Sequence, residues 1–159
     1  MKRSTKTGVS AGSIAILLGL TSVLSGLQSA NTESCELKVD FAHISTYANE
    51  TGGQKKIKIK ARTECTKVQK YSVVEMKFYE VTKNGDVPVR IFDPKLAMSD
   101  KKRPENAYFE SFEEFCVEDS QHKYFGKASG NVRMKSGKLI KVSGVSDKSI
   151  TLRCGIAAQ

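Results

Sequence analysis

From Lys56 to Cys65 the chain alternates without a fault. Ile57, Ile59, Ala61, Thr63 and Cys65 hold one phase, and Lys56, Lys58, Lys60, Arg62 and Glu64 hold the other. A period of two is what a strand needs when one face lies in a core and the other in water. The same phase separates Cys35, Leu37, Val39 and Phe41 from Glu36, Lys38 and Asp40. Cysteines thus fall in step with apolar neighbours, on faces expected to turn inward.

The rest of the chain extends this reading. Residues 48–54 are small and polar and predict a loop. Tyr71 to Lys83 is rich in Val, Phe and Tyr, Asn84-Gly85 suits a tight turn, and Val87 to Phe92 returns. Centring the turn on Asn84-Gly85 pairs Phe78 with Ile91 and puts Val87, Val89 and Ile91 on the face of Val74, Met76 and Phe78. Glu80 is then a charge on an apolar face. Asp93 to Pro104 holds two prolines and reads as a break. Residues 105–119 mix helical and strand spacing, and the strand neighbours favour a short strand ending near Val117. Tyr124 to Lys135 alternates again, a Ser136-Gly137-Lys138 loop would return it, and Ile150, Leu152 and Cys154 form a last inward face. The architecture expected is an all-β, immunoglobulin-like antiparallel sandwich of about seven or eight strands.

The N-terminus has the order of an export signal. Lys2, Arg3 and Lys6 precede an apolar stretch from Val9 to Leu27, which closes on Gln28-Ser29-Ala30. Residues 1–30 are therefore expected to be a cleaved signal peptide, with a membrane anchor as the alternative, and residues 31–159 a secreted domain. All 17 acidic residues but only 23 of the 26 Lys and Arg follow Ala30, which leaves +6. Such an excess favours anionic partners.

Outside the cytoplasm thiols oxidise, so Cys35, Cys65, Cys116 and Cys154 are expected to form two disulfides. Four cysteines allow three pairings, of which the two local ones, Cys35–Cys65 and Cys116–Cys154, are favoured. No metal site is expected: no two cysteines are close in sequence, and His43 and His122 fit no ligand spacing. No cofactor is expected either.

The chain resembles a class of small exported proteins of Gram-positive actinobacteria. The likeness runs through Cys35, Phe41-Ala42-His43-Ile44-Ser45, the strand into Cys65, Cys116, Tyr124-Phe125-Gly126-Lys127-Ala128 and the closing Cys154. The resemblance implies a secreted two-disulfide β domain and no activity.

Lys56, Lys58, Lys60 and Arg62 would stand ~6.6–7 Å apart along one face, a ladder able to grip an anionic envelope polymer or a protein. The plain alternative is an edge strand guarded by lysines. Residues 105–119 carry six acids and no base. They complement the ladder within one molecule or, by self-association, between two. No aromatic interleaves the ladder, which speaks against sequence-specific nucleic acid, and membrane contact is expected only with an uncleaved leader. His43 and His122 are the sparse material for a small hydrolase, and no nucleophile-elbow motif is present. The expected function is a secreted, non-enzymatic binding protein, with a secreted effector (a toxin or an enzyme inhibitor) as the alternative.

Overall fold

The computed structural model describes residues 32–45 and 54–157. The leader expected over residues 1–30 and most of the loop expected over 48–54 lie outside the described residues. Eleven strands and no helix occur among those described, and every pairing is antiparallel.

Three chain segments build one layer. The first supplies β1 (Cys35–Val39) and β2 (His43–Ile44), the second β3 (Lys56–Ile59) and β4 (Ala61–Cys65), the third β7 (Asn106–Tyr108) and β8 (Phe112–Phe115). They pair as β1-β4-β7 and β2-β3-β8. Across the break at Lys60, Asp40 N donates to Lys60 O and Phe109 N donates to Ala61 O. The ladder segment is therefore central in its layer and not the edge strand considered above.

The second layer holds β5 (Gln69–Thr82), β6 (Gly85–Met98), β9 (Glu118–Met134), β10 (Leu139–Val145) and β11 (Ile150–Gly155). Its order is β10-β9-β5-β6, and β11 pairs with the first half of β9 on the side that β10 takes in the second. Between the layers lie Leu37, Val39, Ile57, Ile59, Ala61 and Phe112 from the first, against Val74, Met76, Phe78, Tyr124, Val132 and Met134 from the second. The alternation in the sequence is the alternation of burial. Two glycines of the second layer admit close approach. A Cβ on Gly126 would press on Ile59, Met76 and Val39, and one on Gly144 would strike the Leu37 carbonyl where β10 meets β1.

The disulfides join Cys35 to Cys65 and Cys116 to Cys154. The first ties directly opposed residues of β1 and β4. The second ties the end of β8's layer to β11 in the other. They lie at opposite ends of the sandwich, because β9 starts beside the second and ends at Met134, whose sulfur lies 3.5 Å from Cys35 Sγ.

Several local expectations are corrected. The β5–β6 turn is Lys83-Asn84, since Thr82 pairs with Gly85 and its hydroxyl donates to Gly85 O. A bulge at Val89 then shifts the phase, so Phe78 pairs with Arg90 and Lys77 with Ile91. Val89 turns inward while Val87 and Ile91 face solvent. β6 does not end at Phe92. It runs on to Met98, with Pro94 in a second bulge between the Met76–Phe92 and Val74–Lys95 pairs. On an edge strand a missing N–H costs little. The loop after β9 is Lys135-Ser136-Gly137, one residue earlier than expected, with Gly137 at φ 96°. That slip moves partners by two and keeps every side chain on its expected face. Residues 105–119 form two short strands, with Phe109 and Phe112 buried and Tyr108 and Phe115 exposed.

Candidate functional site

The four cations alternate along one face as expected, and two of them are neutralised in place. Lys56 Nζ lies 3.5 Å from Glu113 Oε2 and 4.6 Å from the centre of the Phe115 ring. Arg62 Nε donates to Glu64 Oε1 at 2.7 Å, and its Nη1 lies 3.3 Å from Asp40 Oδ1. Lys38 Nζ reaches the other Glu64 oxygen at 2.7 Å. The Arg62 hydrogen bond, with that from Lys38, holds the Glu64 carboxyl below the usual range, and the Glu64 bond raises Arg62 in turn. Lys58 and Lys60 have no carboxylate partner among the described residues. The acidic segment serves the same molecule. Glu113 takes Lys56, Asp119 takes Lys55 at 2.7 Å, and Glu114 lies 2.7 Å from Arg90 Nε, an ion contact without hydrogen-bond alignment.

A second constellation was not visible as a unit in the sequence. Glu118, Ser120, His122 and Tyr124 share one face of β9, and Glu80 of β5 lies beside them. His122 Nδ1 is 2.7 Å from Glu80 Oε1. Its Nε2 is 2.6 Å from Ser120 Oγ and 2.9 Å from Glu118 Oε1. Glu80, the apparent misfit of the hairpin, is therefore a histidine partner. The ring stacks on Tyr124, whose hydroxyl donates to Cys154 O at 2.8 Å and is pushed up to about 12 by burial. His43 is not part of this group; its Nδ1 lies 3.3 Å from Phe41 O.

Carboxylate, imidazole and hydroxyl in that order are the parts of a nucleophilic triad. Here the proton polarity runs the other way. Ser120 Oγ donates to Glu118 Oε1 at 2.5 Å, so towards His122 it is the acceptor, taking a hydrogen bond from Nε2 when that nitrogen is protonated. Glu80 first, and Glu118 after it, raise the His122 pKa above its ordinary value, while Ser120 and His122 hold Glu118 below its own. When protonated, this ring ties β5 to the start of β9 between two carboxylates, and in that form it has no free lone pair with which to take a proton.

Among the described residues no cluster of His, Cys, Asp and Glu could hold a metal ion, and no helix is long and apolar enough to cross a membrane. Comparison with protein families, curated proteins and solved structures finds no match. Function is therefore argued from these side chains alone.

Proposed function

We propose that the protein is an exported, non-enzymatic binding module, an immunoglobulin-like β-sandwich that holds an anionic component of the cell envelope through its surplus cations. The observation that carries this reading is the contrast just described. Lys56 and Arg62 are bound to carboxylates, whereas Lys58 and Lys60 of the same ladder have none among the described residues. Two disulfides support an extracellular setting. Co-sedimentation with envelope preparations over a salt series tests it. Binding should weaken steadily with salt and fall further in Lys58→Glu/Lys60→Glu. Salt-independent binding, or none, rejects the reading.

A second reading, a serine-dependent hydrolase, rests on the Glu80–His122–Ser120 order. It requires Glu118 to release the Ser120 proton. Fluorophosphonate labelling of Ser120 at pH 8, lost in His122→Ala, would support it, and an unlabelled protein rejects it.

A further inference from the structure

A second surplus of positive charge, outside the ladder, collects at one end of the sandwich, the end stapled by Cys35–Cys65. Four loops meet there. Thr66 N donates to Ser34 O, Gln69 N to Pro104 O, Lys135 N to Val68 O and Ser99 N to Lys70 O, all at 2.9–3.1 Å. Buried Gln69 pins them, with its Nε2 2.7 Å from Glu105 O. Lys67 stands in one loop with Lys70 at the start of β5 behind it, Lys101, Lys102 and Arg103 stand in the next loop, Lys135 and Lys138 in the third, and all are exposed. Three carboxylates oppose these seven cations: Glu33, Asp100 and Glu105. Asp100 is spent on its own turn, accepting from the Lys102 and Arg103 amides, and Glu33 accepts from the Ser136 hydroxyl. None of the seven cations has a carboxylate partner among the described residues.

Apolar side chains stand exposed beside this basic end. Met98, Tyr71, Arg133 and Leu139 form one register row across the outer face of the second layer, with Leu96 in the next row. Met98 is 64% exposed, Leu96 61% and Leu139 50%, and Val68 stands at the loop tip at 39%. A soluble polyanion rewards the lysines only. An anionic lipid surface rewards both sets, since apolar side chains enter the headgroup boundary while cations meet phosphates. Thr32, where the described chain begins, is at this end, because Thr66 Oγ1 donates to its carbonyl.

We propose that this pole is a docking surface for an anionic lipid bilayer, with Val68, Met98 and Leu139 at headgroup depth. The proposal deepens the anionic-partner reading above and rests on it. Each cation near an anionic leaflet strengthens binding about five-fold, so three charge reversals should weaken it at least 100-fold, or about 2.7 kcal/mol.

The test uses residues 31–159, because the core and both bridges lie within the compact unit Thr32–Gln159. The protein has no tryptophan, so Val68→Trp gives a clean fluorescence reporter. Vesicles of phosphatidylcholine with 30% phosphatidylglycerol (about a third anionic, in the range where such surfaces attract basic segments) should blue-shift the reporter and sediment the protein. Lys67→Glu/Lys102→Glu/Lys135→Glu should abolish both effects, and Met98→Ser/Leu139→Ser should weaken them. Lys58→Glu/Lys60→Glu should change them least. Equal binding to pure phosphatidylcholine overturns the proposal, as does loss in the ladder variant but not in the pole variant. Binding to soluble polyphosphate without binding to vesicles overturns the lipid surface and leaves the anionic-partner reading standing. Binding to neither removes both.

Discussion

The two disulfides allow a decision between two accounts of what a bridge does. Cys35 and Cys65 face each other across the paired strands β1 and β4, so a native-contact view gives their bridge little to add. The chain-entropy view counts the loop closed in the unfolded state. The separations are 30 and 38 residues, which correspond to about 3.6 and about 3.9 kcal/mol. Packing then separates the pairs. Cys154 and Cys116 are buried, while Cys35 and Cys65 are half-buried. Truncation to alanine therefore removes about 1–2 kcal/mol more at the second bridge. Cys35→Ala/Cys65→Ala should cost about 4 kcal/mol and Cys116→Ala/Cys154→Ala about 5–6 kcal/mol. Both are large against the 5–15 kcal/mol typical of a whole domain, roughly. Urea unfolding of each double variant, with the other bridge intact and m fitted separately, reads these values. A loss below about 1.5 kcal/mol for Cys35→Ala/Cys65→Ala refutes the entropy reasoning, and the reverse order of the two refutes the packing step.

Three further outcomes are expected. Gly144→Ala drives a Cβ into the Leu37 carbonyl and should cost about 1–3 kcal/mol, whereas Gly126→Ala, which meets only side chains, should cost less by the same urea measurement. Gln69→Leu removes the donor to Glu105 O and the acceptor of the Thr63 and Ser72 hydroxyls, and should cost about 2 kcal/mol; hydrogen exchange should then rise first in residues 66–70 and 99–105. His122 has a raised folded pKa, so the stability it contributes is complete below its unfolded value near 6.5 and is lost as pH rises through the folded value. Stability measured from pH 5.5 to 8.5 should show that decline, and His122→Gln should flatten it.

Local phase carried much of the fold. Ile57, Ile59, Ala61 and Thr63 are buried where alternation placed them, as are Val74, Met76 and Phe78. What failed was whatever depends on a bulge. Alternation holds along β5, but in β6 only Val89 of the expected inward set is buried while Val87 and Ile91 face solvent, because Val89 and the Asp93-Pro94 step each break the register between the strands. Pro94 looked like a stop because proline interrupts an inner strand, and nothing local marked β6 as an edge. The candidate site was legible in part. His122, Ser120 and Glu118 stand two apart, the spacing of one strand face, but beginning the strand at Tyr124 left all three outside it. Glu80 is 42 residues away, and only the β5–β9 pairing brings it in.

The lysine ladder shows the same limit from the opposite direction. Four cations in alternate positions look equivalent along one strand, but a central strand is read across its neighbours. Lys56 meets Glu113 of β8, and Arg62 meets Asp40 just beyond β1, carboxylates 57 residues after and 22 residues before their partners. Lys67, Lys102 and Lys135 lie in three separate loops that no spacing rule connects; the sandwich brings those loops together, and none of the three side chains has a carboxylate partner among the described residues. Net charge was visible from composition, whereas its distribution is a property of the topology. On the proposal above, a partner attracted by that net charge is held where carboxylates do not offset the cations, at the Cys35–Cys65 end more than along the ladder.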